Sequence, residues 1–382
     1  MIARVRIMTG TMNDKSRPGA IHGGALWQPC VNSVEDYARI LAADVNDAWY
    51  PPAPAVLQTI ARWSRHSNHS PDTSCASLAR AVAGHFAIPE HAVRIGAGAS
   101  DLLHHFILSV AGPGDEVLTL SPSYAEYARA AKLAGARVKR LRLDAGDGFE
   151  ANPEKILAAA GTNTRLIALC NPNNPTGRVL SRSRMLALMQ ALPARTFVLI
   201  DEAYIDFAPQ ESVLADAPLF PNAAVVRTFS KAYAMAGLRV GFASLGSAAR
   251  KRFDRIGRPP WPVGLLALHA AEVALAESAY IAGRVAECLT LKAEVIARLH
   301  APSLPSATHY FLLDLKDTGV AASRLLDCMR SHNIFLRDFA GFSAGSRRGQ
   351  DARLPQRFVR ITTQNRRGNR RIADEVNRII SS

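Results

Sequence analysis

The sequence predicts an α/β protein in two parts, a large domain on a mostly parallel sheet and a smaller α+β domain. Three observations carry that expectation. From about residue 92 to 245, short apolar runs alternate with amphipathic helical patterns, as in a parallel sheet covered by helices on both faces. Around Pro259-Pro260-Trp261-Pro262 the alternation stops and a long helical stretch begins. The chain has 382 residues, 48% of them hydrophobic, enough to build more than one core.

Taken in order, the first fifty residues are rich in proline, glycine and asparagine and read as an arm packed on the smaller domain. Residues 92–95, 116–120, 166–170, 197–200, 224–227 and 240–245 read as buried strands, with helices over stretches such as 125–136 and 181–191. A helical stretch over about 265–300 follows, then strand-like runs at 310–315 and 358–362 and a terminal helix from about residue 369. The expected division is a large domain over 51–289, with 1–50 and 290–382 forming the arm and the small domain.

Composition narrows the function classes. No apolar run reaches membrane-spanning length and the N-terminus lacks the apolar segment of a signal peptide. The five cysteines are scattered, odd in number and without metal-ligand spacing, which reads as reduced thiols in a cytoplasmic protein. Net charge is +14, and the stretch from Arg347 to Arg371 holds nine arginines and one acid, Asp351. Such a patch could bind nucleic acid, but it has little aromatic interleaving, and Arg357-Phe358-Val359-Arg360-Ile361 reads as a strand. The preferred reading is a charged surface beside a site for an anionic substrate, with no nucleic-acid and no membrane partner.

In parallel sheets, ligands sit beyond the carboxyl ends of the strands. There the sequence places Gly96-Ala97-Gly98-Ala99-Ser100-Asp101, whose small residues and following helix start suit a phosphate. Next come Ser121-Pro122-Ser123-Tyr124, with an aromatic face, and Asn171-Pro172-Asn173-Asn174-Pro175-Thr176-Gly177, a loop stiffened by two prolines. Asp201-Glu202-Ala203-Tyr204 ends a hydrophobic strand with a carboxylate, which is costly to bury without a cation. Thr228-Phe229-Ser230-Lys231 and Gly237-Leu238-Arg239 complete the series. Most lysines are solvated surface groups, so Lys231 gains meaning only from its company.

Together these segments resemble the class I/II aminotransferase superfamily, pyridoxal-phosphate enzymes of fold type I, in order and spacing over nearly the whole chain from about His22. The resemblance implies a seven-stranded, mostly parallel sheet, a homodimer and pyridoxal 5'-phosphate as cofactor. It implies Lys231 as the Schiff-base lysine and proton carrier, Asp201 as partner of the pyridine nitrogen, and Asn174 and Tyr204 as donors to the phenolic oxygen. Tyr124 corresponds to the aromatic stacked on the ring. Ala99, Ser100, Thr228, Ser230 and Arg239 correspond to the phosphate cup, and Arg360 to the clamp on the substrate carboxylate.

Within the superfamily the chain is most similar to the branch of histidinol-phosphate aminotransferase and threonine-phosphate decarboxylase. His22-Gly23-Gly24, Pro209-Gln210-Glu211-Ser212 and Pro260-Trp261 resemble the decarboxylase in particular. Asn46 falls in the branch's Asn-x-Asn-Pro arm and Arg337 where it has an arginine near the substrate, so His22, Asn46, Arg337 and Arg360 are the expected substrate-side residues. Two positions depart from the pattern: Ala48 replaces the second asparagine, and Ser70 stands where a tyrosine usually reaches the neighbouring subunit's cofactor phosphate. The implied activity is transamination between a small amino acid, with or without an anionic tail, and a keto acid. The alternative on the same scaffold is decarboxylation of the threonine-phosphate type; a nucleic-acid-binding regulator is the remote one.

Overall fold

The computed structural model describes residues 39–338 and 357–382. In chain order its strands are β1 (Leu41–Ala43), β2 (Val93–Gly96), β3 (Glu116–Ser121), β4 (Arg137–Arg142), β5 (Thr164–Cys170), β6 (Phe197–Asp201), β7 (Ala223–Thr228), β8 (Gly241–Leu245), β9 (Tyr310–Asp314), β10 (Ile334–Asp338) and β11 (Phe358–Thr362). The large sheet has seven strands in the order β2-β8-β7-β6-β5-β3-β4. β7, β6, β5, β3 and β4 are parallel neighbours, and β8 runs against both β2 and β7.

The central strands are apolar on both faces because both are covered. In β5, Ile167 and Leu169 join one core cluster while Leu166, Ala168 and Cys170 join the other. In β6 the same split separates Val198 and Ile200 from Phe197 and Leu199. That two-residue alternation is the pleat of a strand buried between two helical layers.

The smaller sheet has the order β1-β10-β11-β9, with β1 parallel to β10 and β11 antiparallel to both neighbours. Its core joins Phe311, Leu313, Val359 and Ile361 to Ile372 and Val376 of the terminal helix Arg366–Ile380. Residues 41–43 of the arm pair with β10 in this sheet, and the residues before 39 lie outside the described residues.

Four details differ from the sequence reading. β4 went unread because Arg-Val-Lys-Arg-Leu-Arg is charged; it is an edge strand, where cations guard unpaired backbone groups. β10 is a second unread strand, in the small sheet. The expected helix over 265–300 is two, Leu265–Ala276 and Ser278–Arg298, bent by 82° at the break. The terminal helix begins three residues before 369, where the Asn365 side chain caps the backbone N–H of Gly368. Among the described residues no single helix is long and apolar enough to cross a membrane.

Candidate active site

The loops leaving the carboxyl ends of β2, β3, β5, β6 and β7 open on one edge of the large sheet, and the small sheet's β11 and the segment after β1 close over them. At the β2 end the helix Ala99–Val110 starts from Gly98 with no side-chain cap, leaving its first N–H groups available to an anion. Gly98 has φ 85°, and a Cβ there would stand 2.5 Å from Arg239 Nη2. Glycine is therefore what lets the guanidinium lie against this turn. Arg239 itself has φ 53°, a conformation costing a non-glycine residue about 1–3 kcal/mol and typical of functional sites. Its Nη1 donates to Ser230 Oγ (3.3 Å) and its Nη2 to Ala97 O (3.5 Å). Thr228 Oγ1 donates to Ser230 Oγ (2.7 Å), and Ser100 Oγ lies 3.3 Å from Tyr124 OH.

Asp201, at the end of β6, is 3% exposed. It accepts from Tyr127 OH (2.7 Å) and Ala203 N (3.0 Å). Burial pushes its carboxyl up to about 6 against those two hydrogen bonds. Its neighbour Glu202 has a different role, pairing with Arg227 (2.8 Å) and accepting from Ser212 and Val213 N, which fixes the following loop. Tyr204 OH accepts from Asn46 Nδ2 (3.0 Å) and Asn174 Nδ2 (3.4 Å), leaving its own proton to donate elsewhere. Burial raises its hydroxyl well above the usual tyrosine value. Tyr124 is likewise raised to about 12, chiefly by burial.

Arg360, on β11, is 4% exposed. Its Nη1 donates to Asn174 Oδ1 and its Nη2 to Asp44 O, both at 2.6 Å. The first of these bonds also turns the Asn174 amide nitrogen toward Tyr204. Burial pushes the Arg360 guanidinium down to about 10. Arg337 on β10 is its direct cross-strand partner, so the two side chains leave the same face. Lys231 Nζ lies 3.0 Å from Asp47 Oδ1 and 5.9 Å from the centre of the Tyr204 ring.

This donor set fits pyridoxal phosphate. The cup offers a guanidinium, hydroxyls and free helix N–H groups to a phosphate, and the buried Asp201 carboxylate suits a cationic ring nitrogen. Lys231 supplies the amine. Ser70, in contrast, is exposed, and His22 lies outside the described residues.

Among the described residues the arginine-rich stretch does not form one patch on the site. Arg360 faces the crevice, but Arg357 pairs with Asp314, Arg366 with Glu294, and Arg371 donates to His332 O; Arg347, Arg348 and Arg353 lie outside the described residues. Strand alternation and the outward face of the terminal helix separate them. Sequence reasoning also passed over Asp47 and Tyr127. Tyr127 stands three residues after Tyr124, in the first turn of the helix that follows it, and Asp47 follows Asn46 directly, so both signals were present.

Known proteins share this architecture. The model of the family described as aminotransferase class I and II matches residues 41–376. A histidinol-phosphate aminotransferase of Halorubrum lacusprofundi is 29% identical over 356 residues, 91% of this chain and 93% of that one. An aromatic amino acid aminotransferase of Streptomyces coelicolor is 32% identical over 306 residues, 78% of this chain and 82% of that one. The crystal structure of histidinol-phosphate aminotransferase from Sinorhizobium meliloti in complex with pyridoxal-5'-phosphate superposes with a TM-score of 0.80 at 27% identity, covering 88% of this chain and 90% of that one. That of L-threonine-O-3-phosphate decarboxylase from Porphyromonas gingivalis gives 0.76 at 25% identity, covering 89% and 99%.

Proposed function

The chain belongs to the class I and II aminotransferases, pyridoxal-phosphate enzymes, and from that premise we propose that it transfers the amino group of a small amino acid whose side chain carries a phosphate or other anion. The observation that carries the substrate class is the cross-strand pair Arg337 and Arg360. Two cations leaving one face of the small sheet suit a substrate with more than one anionic group. Arg360, buried and fixed from both sides, holds the α-carboxylate; Arg337 meets the second anion.

When bound, pyridoxal phosphate supplies an electron sink for the pair left on the substrate's Cα. Lys231 Nζ would hold the cofactor and, as a free amine, would take the proton from the substrate's Cα. Asp201 keeps a proton on the ring nitrogen by offering it a buried negative charge. Tyr204 and Asn174 donate to the phenolic oxygen, Tyr124 covers the ring, and Ala99, Ser100, Thr228, Ser230 and Arg239 hold the phosphate. Asn46, through Tyr204, sets the substrate side of the ring. By gripping the carboxylate, Arg360 would hold it in place while the Cα proton leaves, which favours transamination over decarboxylation.

Two further parts of the reading are a homodimer, with Ser70 in place of the usual bridging tyrosine, and a cytoplasmic location, which the free thiols of Cys75, Cys170, Cys288 and Cys328 support.

The test is single-turnover mixing of the loaded enzyme with histidinol phosphate, O-phosphothreonine, glutamate and aspartate. We expect a keto product and a cofactor left as the amine. Arg360→Ala should weaken carboxylate substrates ten- to a hundredfold, the cost of a lost charged hydrogen-bond partner of about 1.5–3 kcal/mol, and spare histidinol phosphate, which has no carboxylate. Release of carbon dioxide from O-phosphothreonine with the cofactor still an aldehyde would replace this reading with decarboxylation.

A further inference from the structure

Lys231 has to do two things in the proposed reaction, and its amine needs a defined place for the second. Once substrate has displaced it, Nζ must present a lone pair to the substrate's Cα and then carry the proton it has taken. Among the described residues, Asp47 is the acid in ion-pair contact with Nζ, at 3.0 Å. Asp201 also faces Lys231 electrostatically, but its oxygens are engaged by Tyr127 and Ala203.

Asp47 stands on a rigid base. The preceding Asn46 is 4% exposed, and every polar group of it that enters the crevice is tied. Its Nδ2 donates to Tyr204 OH (3.0 Å), its Oδ1 accepts from Thr362 Oγ1 (2.9 Å), and its carbonyl accepts from His309 Nε2 (3.2 Å). Two residues earlier, Asp44 O is held by Arg360, and β1 just before it is paired with β10. The Asp47 carboxylate itself stays partly open, with 44% of its side chain exposed. It therefore has a fixed origin and a free oxygen, which a merely structural acid at this point would not need.

We propose that Asp47 is the positioning residue for Lys231: it accepts a hydrogen bond from the displaced amine, aims the lone pair at the substrate's Cα and stabilises the ammonium formed there. In that step the Cα–H bond breaks, its proton passes to Nζ, and its electron pair is drawn into the cofactor ring. Positive charge appears on Nζ as the proton arrives, so a carboxylate 3.0 Å away acts more strongly on the product of the transfer than on the starting amine. The charged surroundings suit this. Burial alone would raise the Asp47 carboxyl, but Lys231, by charge and hydrogen bond, and then Arg239 hold it below the usual carboxylate range. Asp47 is thus ionised at neutral pH. His309, buried and pushed down to about 3, is neutral there; Arg239, Arg360, Asp201 and the Tyr204 hydroxyl complete the groups that face this pair.

The inference rests on Lys231 being the proton carrier, and the experiment separates the two claims by comparing wild type, Lys231→Ala, Asp47→Asn and Asp47→Glu. First, uptake of pyridoxal phosphate by the apoproteins is followed by absorbance. The Asp47 contact at 3.0 Å ties up the amine, so D47N should load faster by about two- to fivefold, the range of a half-exposed ion pair. Second, single-turnover reaction is measured with L-glutamate bearing hydrogen or deuterium at Cα. D47N should slow the turnover about ten- to a hundredfold, as a misplaced reacting group does, with a larger isotope effect and little change in KM; D47E should recover part of the rate. Uptake and isotope effect in D47N equal to wild type, with K231A inactive, would overturn the role of Asp47 alone. A K231A protein that turns over like wild type would overturn the parent reading instead.

Discussion

Asp201 imposes a measurable cost on the cofactor-free fold. Burial raises its carboxyl from 3.8 to about 6, so the folded chain holds that proton more tightly than the unfolded one. Two units at 1.36 kcal/mol each amount to about 3 kcal/mol. Because the folded-state value is the higher one, this stability is present below about pH 4 and has been lost once the pH passes 6. Asp201→Asn removes the titration. The amide can still accept from Tyr127 OH, but it then turns a donor toward Ala203 N, forfeiting about 1 kcal/mol. Apo D201N should therefore be about 2 kcal/mol more stable than apo wild type at pH 8, or about 2–3 °C in the melting temperature, and the gap should close or reverse at pH 4.5. Pyridoxal phosphate should invert the order at pH 8, since only the ionised acid gains a cation from the ring nitrogen. Thermal melts of both apoproteins at the two pH values, without and with cofactor, make the check. An apo D201N less stable than wild type at pH 8, or a gap that ignores pH, would refute the account of Asp201 as an acid held ready at the expense of the fold.

Two shorter predictions concern the cup and the assembly. Gly98→Ala would place a Cβ 2.5 Å from Arg239 Nη2 at a backbone φ of 85°; displacing that guanidinium should weaken cofactor binding at least about tenfold, the worth of one charged hydrogen bond, visible in equilibrium dialysis. Retention equal to wild type would mean that Arg239 does not grip the phosphate. For the proposed dimer, sedimentation of the loaded enzyme at micromolar concentration should give about twice the 41.2 kDa chain mass, and an active monomer would remove that part of the reading.

What could be read in the sequence followed from how each residue's signal is encoded. Strands buried on both faces, such as β5 and β6, declare themselves as unbroken apolar runs. The polar loops that follow them fall at one edge simply because the strands are parallel. For that reason the sequence itself groups Lys231, Asp201, Asn174 and Arg239 at strand ends. β4 was invisible because its residues answer to the demands of an exposed sheet edge, where arginine and lysine replace the apolar pattern.

The misread arginines show a different limit. Counting charge along the chain treats Arg357, Arg360, Arg366 and Arg371 as neighbours, yet pleat and helix turn three of them to Asp314, Glu294 and the His332 carbonyl. Arg360 instead reaches Asn174 in the crevice, and its cross-strand neighbour is Arg337, twenty-three residues earlier in the sequence. Asp47 was missed for the same reason in reverse. Its contact with Lys231 spans 184 residues and depends on Thr362, His309 and Tyr204 holding Asn46 beside it. Local patterning tells which residues end each strand. Which charge meets which is decided by pairings between distant segments, and in this protein those pairings bring the small sheet over the edge of the large one.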